Sequence, residues 1–184
     1  TYSTAEAVSL QGGTLSNSNG TTSFSGIVTM TADGTFSTSS GTMLVLAGAV
    51  QGAFRLNKSG AGTVRLSNTG NSFSNISIGA GTLQLGASGV IPDTVNIINS
   101  SALDLNGFDE AFDSIVGNGS TGNSQVTTAT LTLGANNNAG DSRLNGPITG
   151  ALNLVKTGTG RQSLGSGSSS YTGTTTVNAG ILAV

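Results

Sequence analysis

Leu56 to Gly86 reads LNKSGAGTVRLSNTGNSFSNISIGAGTLQLG, and the stretch returns as Leu154 to Val184, LVKTGTGRQSLGSGSSSYTGTTTVNAGILAV. Lys58, Gly60, Gly62, Leu66 and Phe73 map onto Lys156, Gly158, Gly160, Leu164 and Tyr171 without a gap. One inserted residue later, Ile78, Gly81, Leu83 and Leu85 meet Val177, Gly180, Leu182 and Val184. A recurring pattern that is punctuated by glycine and alternates in hydropathy marks a chain built by repetition.

Outside the two copies the same alternation continues in Leu44/Leu46, Val95/Ile97, Leu103/Leu105 and Leu131/Leu133, and Leu152/Leu154 leads into the second copy. A period of two puts these side chains on one face of a strand, with the intervening Thr, Arg, Gln, Asn and Asp on the other. Helical periodicity is almost nowhere to be found, so the chain is expected to be all-β. Short strands with Gly-rich turns also describe an antiparallel sandwich or barrel. Four Asn-Gly pairs, at Asn19, Asn106, Asn118 and Asn145, have the composition of tight hairpin turns. The spacing decides otherwise. The strongest pairs begin at Leu44, Val64, Leu83 and Leu103, a steady step of about twenty residues that suits one coil of a parallel β-solenoid. Residues 1–184 then form a single solenoid domain, or part of a longer rod, of roughly eight to nine coils. At the inter-strand spacing this gives a rod on the order of 40 Å long. Gly60/Gly62, Gly79/Gly81, Gly158/Gly160 and Gly180 read as corners, where a positive φ suits glycine. The rhythm breaks between Leu105 and Leu131, and the polar run Gly117 to Thr128 reads as a protruding loop.

Composition supports a layered core. Leu, Ile, Val and Phe together make 44 of 184 residues, and the net charge is only -2, which is far from the composition of a disordered chain. Six basic against eight acidic residues leave no footprint for nucleic acid. The longest apolar run, Met43 to Val50, falls far short of a membrane-spanning helix, and no basic amphipathic helix is present for a membrane surface. No signal peptide is visible at the start of the sequence. With no Cys there are no disulfides or thiolate metal sites, and low charge with abundant Thr and Asn leans towards the cell exterior.

Leu154, Lys156, Gly158, Gly160, Tyr171, Gly173, Thr175, Val177, Gly180 and Leu182 carry a Leu-x-Lys-x-Gly-x-Gly segment, a Tyr-x-Gly-x-Thr-x-Val segment and a closing Gly-x-Leu. This resembles the autotransporter-associated β-strand repeat of bacterial surface proteins. Leu56, Lys58, Gly60, Gly62, Val64 and Leu66 match the first half of the other copy, while Phe73 to Ile78 lacks the Tyr and the Gly after it. The second copy departs from the pattern at Arg161 to Leu164, which thins the inward face of that strand. Leu103 to Phe108 and Thr130 to Gly134 are similar to the spacers of such proteins. The resemblance implies a right-handed parallel β-helix, exported, in the passenger part of an autotransporter or a related extracellular protein. Any translocator barrel lies elsewhere.

Half of the acids, Asp104, Asp109, Glu110 and Asp113, lie within ten residues. Clustered carboxylates can hold Ca²⁺ or cleave polysaccharide as a pair. The plainer reading has Asp104 and Asn106 pointing outward beside inward Leu103 and Leu105. Neither an EF-hand spacing nor a Ca²⁺ nonapeptide repeat is present, and no Lys/Arg cluster stands near. Lys58 and Lys156 read as corner residues whose stems cover apolar edges while the ammonium stays wet. Gly60-Ala-Gly62 and Gly158-Thr-Gly160 lack the following helix that a phosphate loop needs. Phe73 and Tyr171 read as corner or core aromatics rather than a sugar-stacking platform. Without His or Cys, neither a Ser-His-Asp nor a Cys-His centre can form. No catalytic, cofactor or metal residue is assigned.

The reading favoured is a non-catalytic structural or interaction protein: a β-helical stalk, adhesin segment or fibre-forming coat subunit at the bacterial cell surface, associated with the outer membrane. Its expected partners are host or cell-surface glycans or proteins, with no nucleic acid and no membrane insertion. The alternative is a polysaccharide-acting β-helix using the acids of 104–113. Gly180 to Val184 ends on a strand without a polar or helical cap, an edge that invites end-to-end stacking into a homo-oligomer or filament.

Overall fold

The computed structural model describes residues 3–137, 140–165 and 169–184. Every strand pairing among them is parallel. The hairpins that Asn-Gly pairs can close are therefore not used, and the protein is an all-β solenoid of about eight turns.

Each coil runs over three faces. The first carries Val8–Leu10, Val28–Met30 and Val50–Gln51, then resumes with Glu110–Phe112, Ala129–Leu133, Leu152–Lys156 and Thr175–Val177. The second carries a six-stranded sheet from Thr14–Asn17 to Ser114–Val116. A bridge between Gly117 and Leu144 hands it on to the three strands Asp141–Leu144, Arg161–Leu164 and Ile181–Ala183. The third is a continuous nine-stranded sheet from Ser3–Thr4 to Ser170–Tyr171.

The alternation seen in the sequence becomes columns of stacked side chains. On the third face Leu44, Val64, Leu83 and Leu103 lie in register, and Phe24, Leu46, Leu66 and Leu85 form a parallel column. All are buried. Each leucine thus leaves water by packing on the equivalent residue of the coils on either side, so a thin three-sided rod can own a core.

Glycine is required where coils touch at the corners. Gly81 has a φ of 65°, and a Cβ there would lie 2.3 Å from the carbonyl oxygen of Gly62 and 2.5 Å from that of Gly60. Both the dihedral and the distance exclude a side chain.

The stretch 117–128 is not a protruding loop. Ser120–Asn123 is a strand of the third face, paired with Ala102–Asp104 on one side and Ile148–Gly150 on the other. Its inward positions are Thr121 and Asn123, both buried, and Thr121 takes the slot that leucines fill in earlier coils. Polar inward residues break the apolar rhythm without breaking the coil. Within this stretch Asn118 and the run 124–128 are exposed.

Candidate functional site

The four clustered acids are distributed over different parts of the rod. Asp104 points outward from the third face. Its Oδ2 accepts from Gln84 Nε2 and Ser124 Oγ, each at 2.8 Å. Its Oδ1 accepts from the amides of Asn106 and Ser124 at 2.9 and 3.0 Å. Gln84 Oε1 in turn accepts from Arg65 Nε and Nη2, at 2.8 and 2.6 Å. Arg65, Gln84, Asp104 and Ser124 thereby form an external ladder along the stack. Asp109 Oδ1 accepts from the Thr130 amide at 2.6 Å, tying one coil to the next.

Glu110 turns inward and is 3% exposed. Its Oε2 accepts from the amides of Val90 and Ile91 at 3.0 and 3.2 Å, and its Oε1 from its neighbour Ala111 at 3.1 Å. Burial pushes this carboxyl up to about 7 against the pull of those three amides, with a smaller push from Asp93. Asp113 is buried at the bend from the first face to the second, where it opposes the lowering of the Lys156 pKa by burial. Asp109 and Glu110 border an open groove of about 310 Å³ with Asp93, Gly89 and Thr130. A general acid must offer its proton to a substrate atom within hydrogen-bond reach. Glu110 instead has both oxygens aimed at main-chain amides.

Those amides explain why a carboxylate is buried there. Two successive coils lack a strand on the first face, between Val50–Gln51 and Glu110–Phe112. Buried amides and carbonyls at such a gap still need partners. Asn71 Oδ1 accepts from the Val50 amide at 2.8 Å while Asn71 Nδ2 donates to the Val90 carbonyl at 2.8 Å. Glu110 then takes the Val90 amide. Two side chains thus carry the ladder across a break in the sheet. An isolated Asn or Glu in a polar stretch gives no sequence signal for this.

Lys58 and Lys156 behave differently from the expectation of a wet ammonium. Lys58 is 1% exposed and Lys156 2% exposed. Lys58 stands in an inward column, in register with Phe36 on one side and Ile78 on the other. From that slot its Nζ donates to the carbonyls of Ser59, Gly60 and Ala80 at 2.7, 2.7 and 2.9 Å. Ala80 belongs to the next coil, so the ammonium clips two coils together. Burial lowers the Lys58 pKa to about 8. Lys156 repeats the arrangement. It stands in register between Leu133 and Val177, and its Nζ donates to the carbonyls of Thr157 and Gly158. Burial lowers its pKa too, opposed by Asp113. The structural reading of these lysines holds, but their charge is inside. A corner turns several carbonyls inward together, and an ammonium with three donors satisfies them better than water at a rim can.

The two copies of the repeat lie on different faces. In the first, Arg55–Ser59 is on the second face and Thr63–Leu66 on the third. In the second, Leu152–Lys156 is on the first face and Arg161–Leu164 on the second. What repeats is a strand, a lysine-held corner and a strand, set one face apart. Phe73 is buried in the core, whereas Tyr171 is half-buried and its hydroxyl pairs with Thr175 Oγ1 at 2.7 Å. Gln162, where the second copy departs from its pattern, turns inward. Its Nε2 donates to the Ile115 carbonyl at 3.0 Å, and it is 2% exposed. No helix follows either Gly-x-Gly among the described residues. No three carboxylates among them gather as a cation-holding group.

Columns of stacked residues, lysine-held corners and side chains that patch a sheet define a repeat-built β-solenoid. The passenger-associated-transport-repeat family matches residues 56–85 and 154–184, the two stretches whose corners hold Lys58 and Lys156. The protein is also 39% identical over 178 residues to the Adhesin BmaC autotransporter of Brucella suis biovar 1 (strain 1330). That alignment covers 89% of this sequence and 5% of the relative, so the protein spans a small part of the relative's length. Residues 56–85 and 154–184 are thus repeats of the autotransporter passenger type. No solved structure matches it.

Proposed function

We propose that this protein is a non-catalytic segment of an adhesive bacterial surface protein, carried outside the cell as part of a β-solenoid rod. The observation behind the reading is its similarity, along nearly all of its length, to a protein named an adhesin autotransporter. The geometry is consistent with display rather than turnover. The acids that could have formed a hydrolytic pair serve as hydrogen-bond acceptors for neighbouring coils, and the long third face offers a regular outer surface. Its partners are host or cell-surface glycans or proteins.

The test uses beads coated with the folded protein, presented to host cells and extracellular-matrix surfaces, with release of reducing sugar ends from polysaccharides measured in parallel. Attachment above bare beads without sugar release is the expected outcome. Glycan cleavage that disappears in an Asp109→Asn, Glu110→Gln, Asp113→Asn triple variant would establish the enzymatic alternative instead.

End-to-end association is a second reading, favoured by the coil that includes Thr175–Val177 and Ile181–Ala183. Val177 and Ile181 are 51% and 54% exposed there. Both strands are paired on one side only among the described residues. An open parallel edge with apolar side chains accepts another coil, whether from a longer polypeptide or from a second copy. Sedimentation velocity and electron microscopy of the protein read the difference, and a strictly monomeric species sinks the association of copies.

A further inference from the structure

The four Asn-Gly pairs close no hairpin, yet they share a chemistry that the fold treats unequally. In such a pair the glycine nitrogen can attack Cγ of the asparagine. A new bond from that nitrogen to Cγ closes a five-membered succinimide, the bond between Cγ and Nδ2 breaks, and ammonia leaves with the amide proton. Water then opens the ring at either carbonyl, leaving aspartate or isoaspartate. The step needs a free carboxamide and a free glycine N–H, and no reagent beyond water.

Three of the four pairs are restrained. The Gly107 amide donates to Asn123 Oδ1 at 2.8 Å, while Asn106 donates to the Leu85 carbonyl and accepts from Gln125. The Gly119 amide donates to the Asn99 carbonyl at 2.9 Å, and Asn118 Oδ1 accepts from Asn145 at 3.0 Å. The Asn145 carboxamide is held by that contact and by Arg143 Nε at 2.7 Å. Asn19 is different. It is exposed, as is Gly20, and among the described residues neither the Asn19 carboxamide nor the Gly20 N–H has a hydrogen-bond partner. The backbone around this tip is nevertheless fixed. Asn17 Oδ1 accepts from the Asn19 amide at 3.2 Å, and Asn17 Nδ2 donates to the carbonyls of Gly20 and Met43.

We propose that Asn19-Gly20, at the corner between the second and third faces, is a site of spontaneous succinimide formation and deamidation in the folded protein. The other three pairs are protected by their hydrogen bonds. Conversion makes the net charge one unit more negative than -2, and the isoaspartate product inserts a backbone atom between the Asn19 amide and the Gly20 carbonyl, both of which Asn17 holds.

The folded protein is incubated at mildly alkaline pH and mapped by mass spectrometry, with isoaspartate read by enzymatic methyl labelling. Each protected pair must first break at least one hydrogen bond, which slows it roughly ten-fold relative to Asn19. In denaturant the four rates converge. A double variant, Arg143→Ala with Asn118→Ser, raises conversion at Asn145 towards that at Asn19. The proposal is overturned if Asn106, Asn118 or Asn145 converts as fast as Asn19 in the folded protein. It is also overturned if freeing Asn145 leaves its rate unchanged.

Discussion

Replacing Lys58 by Met keeps the buried stem between Phe36 and Ile78 but removes the donor to three carbonyls. An acceptor left unpaired in the interior costs at least about 1 kcal/mol. Three such acceptors give a destabilisation of about 3 kcal/mol. Lys58→Ala removes three further methylenes, at about 0.8 kcal/mol each, and adds about 2 kcal/mol to that. Urea unfolding followed by far-ultraviolet circular dichroism at neutral pH measures both, because the lysine, with a pKa of about 8, is charged there. Amide exchange at Gly79, which donates to the Lys58 carbonyl, localises the loss to the corner. Arg65→Met is the control. Its guanidinium is bound on the outer surface, where such contacts contribute less than about 1 kcal/mol. If Lys58→Met unfolds within about 0.5 kcal/mol of the parent, as an uninvolved surface change does, the ammonium is not what holds the corner.

Two other outcomes follow from the same geometry. The Glu110 pKa rises from 4.5 to about 7 on folding, so between those values the folded protein keeps a proton that the unfolded one has released. Its contribution to stability is therefore present in acid and lost as pH rises through about 7, and Glu110→Gln should flatten the stability profile across that window. Gly41 and Gly81 both have positive φ, but a Cβ at Gly41 meets nothing within 4 Å, whereas at Gly81 it meets two carbonyls. Gly41→Ala should cost about 1–2 kcal/mol from the dihedral alone, and Gly81→Ala distinctly more in the same unfolding assay.

The sequence displayed those features that depend on hydropathy and on glycine. Leucines two apart, recurring every twenty residues, were enough for strand, coil and column, because each column repeats one kind of side chain. Thr121 and Asn123 hid a coil because an inward polar residue with a partner looks like a surface residue in sequence. Lys58 misled for a related reason. A lysine's flexible stem reaches water from most positions, and only the inward cluster of corner carbonyls, a three-dimensional fact, directs it inside. Asn71 and Glu110 were illegible because the ladder they repair is interrupted by coils whose sequence does not announce the missing strand. The acids of 104–113 are neighbours in sequence, but the faces turn between Asp104 and Asp113 and point them apart.

The one-face offset between the two repeats affects how the surface of the rod is to be read. Aligning the copies places Arg65 over Ser163, yet Arg65 looks out from the third face and Ser163 from the second. Equivalent letters thus have different azimuths. An antibody or receptor that reads one side of the rod meets different alignment columns in different copies, so recognition footprints are mapped by face rather than by repeat position. The same freedom lets a surface be varied by sliding the cassette round the rod, while the corner inside each of the two copies keeps its lysine-and-glycine joint.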